Sequence, residues 1–161
     1  MASVLFVCMG NICRSPTAQG VFERLVEREG LEGEIRADSA GTGSWHVGEP
    51  PDRRAQESAR RRGIDLSGQR ARQLEPEDFE RFDYVVVMDR ENYRNVLAMC
   101  PPEHREKVRL LMEYAPETGV SEVPDPYFGG PDGFERVLDL VEEAAEGLLD
   151  EIRAGGGDDG R

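Results

Sequence analysis

The chain has 161 residues, of which 33 are acidic and 20 basic, giving a formal net charge of −13 at pH 7. This charge excludes a nucleic-acid-binding protein that acts through bulk positive charge, because such proteins neutralise phosphates with a basic face. The apolar runs are far shorter than the ~20 residues of a membrane span, and the N-terminus carries no signal-peptide pattern. We therefore expect a cytoplasmic protein with one hydrophobic core that binds neither nucleic acid nor membrane.

The first half of the chain predicts a strand, a helix and a second strand in turn. An apolar run rich in β-forming residues predicts a buried strand at 3–7, which ends at a turn-prone cluster. From Ser15, a proline in the first turn and apolar residues at helical spacing predict a helix that ends at Gly30. A second strand is predicted at 34–40, followed by a glycine-rich loop at 41–51.

The second half continues this alternation. Helices are predicted at 52–62, 76–82, 91–99 and 132–152, strands at 83–88 and 108–112, and a long loop at 113–130. The run Tyr84–Val87 is apolar throughout, as expected for a strand covered on both faces. Together the elements predict an α/β fold, a three-layer sandwich with a central four-stranded parallel sheet flanked by helices and joined by right-handed crossovers.

The cysteines and histidines do not form a metal-binding pattern. The three cysteines, Cys8, Cys13 and Cys100, are an odd number in a chain without a secretion signal, so we expect reduced thiols. No Cys-x-x-Cys or His-x-x-x-His spacing occurs, and therefore no metal is expected. His46 and His104 are predicted to be surface residues, and Cys100 an unreactive residue at a helix end.

The turn after the first strand, residues 8–15, predicts an oxyanion site. In an open α/β sheet, ligands bind beyond the carboxyl ends of the strands, and backbone N–H groups before a helix N-terminus form a concave cradle for phosphate. Gly10 gives this backbone the freedom to close, and Asn11 tolerates a left-handed conformation. A nucleotide-binding loop has little support, since neither the Walker lysine pattern nor Gly-x-Gly-x-x-Gly is present.

A cysteine on the floor of such a cradle has the surroundings of a nucleophile. The helix dipole, the N–H donors and the guanidinium of Arg14 would all favour the thiolate of Cys8. The planar donors of Arg14 match two phosphoryl oxygens, and Ser15 can donate a hydrogen bond to the sulfur. Taken singly, a buried cysteine near an arginine is most often a structural residue. The complete loop between a strand and a helix favours the catalytic interpretation.

The loop resembles that of a known enzyme family. Residues 8–16, Cys-Met-Gly-Asn-Ile-Cys-Arg-Ser-Pro, are similar to the catalytic loop of the low-molecular-weight protein tyrosine phosphatases. Further matches are Asp38-Ser39-Ala40-Gly41, Met88-Asp89 with Asn92, and Asp125-Pro126-Tyr127. The resemblance implies a single phosphatase domain at 1–154, acting as a monomer on phosphotyrosine proteins and small aryl phosphates without a cofactor. The glycine- and aspartate-rich residues 155–161 are expected to form a frayed tail.

The resemblance also implies a role for individual residues. Cys8 would attack phosphorus to form a phosphocysteine, and Arg14 would hold the equatorial oxygens. Asp125 would protonate the leaving phenolate and then activate water. The position of Asp125 between Pro124 and Pro126 agrees with this role, because the two prolines stiffen the loop that carries it.

The remaining implied residues bind phosphate, brace the loop or hold the substrate ring. Phosphate would be bound by Met9, Gly10, Asn11, Ile12, Cys13, Arg14 and Ser15, with Met9 at the pocket rim. The loop would be braced by Asn11, Ser15 and Ser39, and a phenyl ring held between Trp45 and Tyr127. Local backbone contacts for Asn11 and Ser39, and ordinary packing for Trp45, are the structural alternatives.

Three departures from the family pattern and three rival functions remain. Phe128 stands where many members have a second tyrosine, and Gln69 where some have a histidine, which leaves that residue's supporting role open. Ile12 favours aryl phosphates, because related arginine phosphatases carry threonine there.

The rival functions are a phosphoarginine phosphatase, a phosphocysteine carrier that does not hydrolyse, and an inactive phosphotyrosine-binding module. Peroxide is also expected to join Cys8 to Cys13.

Overall fold

The computed structural model of the chain describes residues 2–127, 130 and 132–155. Its strands are β1 (Ala2–Cys8), β2 (Ile35–Gly41), β3 (Tyr84–Val87) and β4 (Val108–Leu110). Its helices are α1 (Arg14–Arg28), α2 (Arg53–Arg61), α3 (Asp78–Arg81), α4 (Arg90–Met99) and α5 (Asp132–Ala154). Short 3₁₀ helices occupy Pro102–Lys107, Leu111–Tyr114 and Pro116–Thr118.

The four strands form one parallel sheet in the order β2-β1-β3-β4. Val4 of β1 lies opposite Ala37 on one side and Tyr84 on the other. The chain leaves β1 toward β2 on one side of the sheet and later returns to β3 on the other side. Connections therefore diverge at the carboxyl end of β1, where a ligand crevice opens in sheets of this kind. That end is Cys8.

The sheet is covered on both faces, which gives a three-layer sandwich. Val4 and Phe6 of β1 belong to a core that also contains the apolar faces of α1, α2 and α5, and the rings of Phe6 and Phe22 meet edge to face at 5.6 Å. Leu5 and Val7 point to a second core formed with α3 and α4. This alternation along β1 follows from the two-residue period of a strand. The predicted fold class is confirmed.

Several helix ends are set by single residues, and of these the end at Gly30 is predicted from the sequence. Asp52 and Asp89 precede α2 and α4, and the carboxylate of each accepts a hydrogen bond from a backbone N–H of the first turn. Gly30 and Gly63 follow α1 and α2 with φ of 74° and 82°, a backbone conformation that suits glycine. The 23-residue α5 is amphipathic, and no helix among the described residues is both long and apolar enough to cross a membrane.

The observed elements differ from the predicted ones in their ends, most clearly for β4 and α3. The strand predicted at 108–112 ends at Leu110, because Leu111–Tyr114 turns into a 3₁₀ helix that packs against α5. The helix predicted at 76–82 is only the four residues Asp78–Arg81. The division into a domain at 1–154 and a tail at 155–161 stays a prediction, and Phe128 and residues 156–161 lie outside the described residues.

Candidate active site

The loop between β1 and α1 packs tightly against the end of β2. Cys8 is the last residue of β1, and α1 begins at Arg14. Asn11 has φ of 59°, the left-handed conformation expected for it. Gly41 lies so close that an added Cβ would stand 2.7 Å from the carbonyl oxygen of Met9. Glycine at position 41 therefore allows the loop to rest on β2.

Two hydrogen bonds reach the sulfur of Cys8. The backbone N–H of Asn11 donates to Sγ at 3.3 Å, and the Ser15 hydroxyl lies 3.0 Å from it. The side-chain amide of Asn11 donates to the same Ser15 oxygen at 2.9 Å, which leaves the Ser15 hydrogen available for a hydrogen bond to the sulfur.

Asn11 connects the loop to neighbouring elements. Its amide nitrogen also donates to Ser39 Oγ at 3.0 Å, while its Oδ1 accepts from the backbone N–H of Arg72 at 2.9 Å. Ser39 in turn contacts Gln69 Oε1 at 3.4 Å, and Gln69 Nε2 donates to the carbonyl oxygen of Pro16 at 3.0 Å. Gln69 thus joins β2 to α1 with a group that does not titrate.

The guanidinium of Arg14 is buried and held from behind. Nη1 donates to Asp89 Oδ2 at 2.7 Å and to the carbonyl oxygen of Val123 at 2.8 Å, and Nη2 lies 3.9 Å from Asp125 Oδ2. Burial by itself lowers the pKa of Arg14, but the charge of Cys8 and the contacts with Asp89 raise it above its usual value. The side chain lines the pocket as a permanent, oriented cation.

Asp125 lies at the mouth of the pocket on the late loop. Its side chain is 43% exposed, and its Oδ1 accepts from the backbone N–H of Tyr127 at 3.0 Å. Above Tyr127, the Arg54 guanidinium carbon stands 5.4 Å from the ring centroid. Arg54 also pairs with Asp52 at 3.0 Å, and Asp52 caps α2. Tyr127 is therefore tied to the N-terminus of α2.

The pocket brings together residues from both ends of the chain. It has a volume of about 310 Å³ and is lined by Cys8, Met9, Gly10, Ile12, Cys13, Arg14, Trp45, His46, Asp125 and Tyr127. Trp45 is 71% exposed at the rim of the pocket. This exposure argues against the alternative that Trp45 only packs in the interior. The three residues predicted to brace the loop are buried and do not line the pocket: Asn11, Ser15 and Ser39.

His46 was predicted only as a surface residue; its side chain is 30% exposed and in addition lines the pocket. A Cβ at Gly10 would stand 3.1 Å from His46 Cδ2, so the imidazole rests against the loop. His46 Nδ1 lies 3.0 Å from Glu49 Oε1, a contact that fixes the ring. The sequence prediction missed this because nothing in a single histidine of a glycine-rich loop indicates which way the loop folds.

The other two cysteines have surroundings unlike those of Cys8. Both Cys13 and Cys100 are buried, and burial raises the pKa of each thiol. The charges of Asp52 and Cys8 raise that of Cys13 further, so Cys13 is a neutral thiol at pH 7. A disulfide between Cys8 and Cys13 under peroxide stays a prediction. Within residues 2–127, 130 and 132–155, no three metal-ligating side chains lie together.

A comparison with protein families decides the relationship of this chain. The family model described as low molecular weight phosphotyrosine protein phosphatase matches residues 3–156. The chain belongs to this family. The resemblance of the loop is thereby confirmed, and it extends over nearly the whole sequence.

Members of the phosphatase family share both sequence and fold with the chain. YfkJ of Bacillus subtilis, a low molecular weight protein-tyrosine-phosphatase, is 44% identical over 95% of this chain and 97% of its own, and its crystal structure gives a TM-score of 0.90. A protein tyrosine phosphatase of Entamoeba histolytica with Hepes in the active site is 37% identical, covers 96% and 99%, and has a TM-score of 0.93. The Drosophila arginine phosphatase is 33% identical, covers 94% and 98%, and has a TM-score of 0.87.

Asp89 is the site residue to which sequence analysis gave no role. Its Oδ2 holds Arg14, and its Oδ1 caps α4 by accepting from the N–H of Asn92 at 2.8 Å. The available signal was its place directly after β3, since carboxyl ends of parallel strands meet at one edge of the sheet. The carbonyl oxygen of Val123 carries no signal in the sequence, because any residue supplies one.

We expect Asp89→Asn to lower kcat/KM roughly ten- to a hundredfold. The amide keeps an oxygen for the helix cap but replaces Oδ2 with a donor, so Arg14 loses an acceptor, and a hydrogen bond between charged groups contributes roughly 1.5–3 kcal/mol. Steady-state kinetics with p-nitrophenyl phosphate and a dissociation constant for inorganic phosphate measure the effect. Glu91→Gln, exposed on the same helix, is the control. Unchanged phosphate binding in Asp89→Asn would contradict the role of Asp89.

Proposed function

We propose that the chain hydrolyses protein phosphotyrosine and small aryl phosphates through a phosphocysteine intermediate. The observation that carries the proposal is that Cys8, Arg14 and Asp125, far apart in sequence, line one pocket. The donors on Cys8 Sγ and the anchored guanidinium provide the nucleophile and the phosphate site together. This arrangement suits a phosphate monoester, and the chain's own residues carry out both phosphoryl transfer to Cys8 and hydrolysis of the phosphocysteine.

Binding of the phosphate uses the loop and Arg14. The backbone N–H groups of 9–15 lie at the N-terminus of α1, where partial positive charge favours an anion. Because Nη1 of Arg14 is held by Asp89, the guanidinium is oriented before substrate arrives and loses little freedom on binding. Trp45 and Tyr127 would contact the phenyl ring, and their exposure on the lining of the pocket supports this role.

In the first chemical step the Cys8 sulfur attacks phosphorus and the bond to the phenolic oxygen breaks. Asp125 donates its proton to that oxygen, so that the leaving group departs as a neutral phenol. Arg14 stabilises the charge on the equatorial oxygens during the transfer. The product of this step is a phosphocysteine.

In the second step water attacks the phosphocysteine and inorganic phosphate leaves. Asp125 accepts a proton from the water, and the bond between phosphorus and sulfur breaks. The sulfur departs as a thiolate, which the Ser15 hydroxyl and the Asn11 N–H stabilise at 3.0 and 3.3 Å. The same two hydrogen bonds therefore assist both attack and departure.

The rival functions have less support from the site. A phosphocysteine carrier needs the thiolate but no acid for a phenolate, and Asp125 lies on the pocket wall. An inactive binding module needs neither Cys8 nor Asp125. Phosphoarginine carries no phenyl ring to lie between Trp45 and Tyr127. We further propose that the protein acts as a monomer in the cytoplasm, where the reducing environment keeps cysteines such as Cys8, Cys13 and Cys100 free.

Hydrolysis of p-nitrophenyl phosphate in the presence of a chelator tests the proposal. Steady turnover is expected from a phosphatase, a single burst from a carrier, and no product from a binding module. A panel of matched phosphotyrosine, phosphoserine and phosphoarginine peptides then tests the substrate class. We expect turnover of the phosphotyrosine peptide to exceed that of the others, and a preference for phosphoarginine would contradict the assignment.

A further inference from the structure

A second groove opens directly beside the catalytic pocket. It has a volume of about 630 Å³ and shares Ile12, His46 and Tyr127 with the pocket. Its remaining lining is polar and comes from the segment before α2 and from one face of that helix: Glu49, Pro50, Pro51, Asp52, Arg53, Gln56, Glu57 and Arg60. A substrate whose phosphotyrosine occupies the pocket could extend along this groove, because the same three residues line both.

Two arginines on this groove form no ion pair with a carboxylate of the described residues, although the charge of Arg60 contributes to lowering the pKa of Asp65. Arg53 and Arg60 lie on one face of α2, both exposed, and neither forms an ion pair or side-chain hydrogen bond with any other described residue. The neighbouring Arg54 and Arg61 differ, since each is paired with a carboxylate. The unpaired cations of α2 are therefore those that line the groove.

The carboxylates of the groove are mostly occupied by other partners. Glu49 contacts His46 at 3.0 Å, and Asp52 binds Arg54 at 3.0 Å. Hydrogen bonds from Arg54 hold the pKa of Asp52 below its usual value although burial by itself would raise it. Glu57, one helical turn from Arg53, is the remaining unpaired carboxylate of the lining.

We propose that this groove binds acidic residues flanking the phosphotyrosine of the substrate, with Arg53 and Arg60 as their ion-pair partners. The proposal rests on the proposed phosphatase function and names its substrate preference. The chain carries a net charge of −13, so its overall field repels an acidic phosphopeptide. Local cations beside the pocket offset this repulsion at the point where the peptide docks.

The test compares two phosphotyrosyl peptides that differ only in their flanks. One carries glutamate on both sides of the phosphotyrosine, and the other glutamine at the same positions. The measured quantity is the ratio of kcat/KM for the two peptides. Turnover of p-nitrophenyl phosphate, which is too small to reach the groove, gives the amount of active enzyme in each preparation.

The double variant Arg53→Gln, Arg60→Gln should lower the preference for the glutamate peptide about three- to tenfold, the size expected for two exposed ion pairs. The loss should lie in KM, and salt should weaken the preference of the wild-type chain. Glu57→Gln should change the ratio in the opposite direction, because it removes the carboxylate between the two arginines. Arg94→Gln, exposed on α4 and outside both linings, should keep the wild-type ratio.

A wild-type chain that does not prefer the glutamate peptide, or a preference that survives in the double variant, would overturn the proposal. Failure to hydrolyse p-nitrophenyl phosphate would instead contradict the phosphatase function. In that case the dissociation constants of the two peptides are measured by fluorescence anisotropy. The dissociation constant of the glutamine peptide divided by that of the glutamate peptide then replaces the kinetic ratio. A ratio above one that falls in the double variant would support the groove even then, and a ratio of one would overturn it.

Discussion

Replacing Cys8 with serine should abolish turnover while leaving phosphate binding in place. A serine hydroxyl is a weak nucleophile at neutral pH unless a base activates it, and no base is among the contacts of this side chain. A serine oxygen still accepts the hydrogen bond from the Asn11 N–H, and Arg14 is held by Asp89 and the carbonyl oxygen of Val123, so the anion site remains. Steady-state hydrolysis of p-nitrophenyl phosphate and calorimetric titration with inorganic phosphate measure the two properties.

Cys100→Ser provides the matched control for Cys8→Ser. Cys100 is a second buried cysteine, but it caps the end of α4 and its sulfur contacts the carbonyl oxygen of Pro101 at 3.4 Å. This variant should retain turnover close to that of the unchanged chain. Near-normal turnover in Cys8→Ser would exclude a phosphocysteine on Cys8 and with it the proposed mechanism.

Asp125→Asn should lower kcat by roughly 10²–10⁴, the range expected when general acid–base catalysis is lost. Asparagine keeps the Oδ1 that accepts from the N–H of Tyr127 at 3.0 Å, so the loop should keep its conformation. The missing function is proton donation to the leaving oxygen. The loss should therefore be larger for phenyl phosphate, whose leaving group is strongly basic, than for p-nitrophenyl phosphate.

The dependence on the leaving group distinguishes a catalytic Asp125 from a structural one. A general loosening of the site would lower the rate of both substrates by the same factor. Asp150→Asn, exposed on α5, serves as the control and should not alter either rate. Equal losses for both substrates would assign Asp125 to support of the loop.

Some parts of the fold and of the site depend only on residues that are close in sequence, and these parts could be predicted. The strand at β1, the turn at residues 8–13 and the start of α1 form one continuous segment, and its residue types leave few alternatives. The left-handed Asn11 and the capping aspartates Asp52 and Asp89 are likewise local matters, settled by a side chain and the backbone next to it.

The wrong or missing predictions concern contacts between distant segments. The end of β4 depends on how Leu111–Tyr114 packs against α5, and no local pattern reports that packing. His46 reaches the pocket because its loop folds back over Gly10. Asp89 contacts Arg14 because the carboxyl ends of β1 and β3 are neighbours, and this depends on the order of the strands in the sheet.

By itself, the sequence determined the alternation of strands and helices and the chemistry of residues 8–15, because periodicity, turn residues and capping act over a few residues of chain. The tertiary structure alone decided what else surrounds that chemistry: the carboxylate behind Arg14, the imidazole of His46 on the pocket wall and the arginines of the adjoining groove. These residues come from separate segments, and strand order and helix packing, which no short stretch of sequence encodes, set the distances between them.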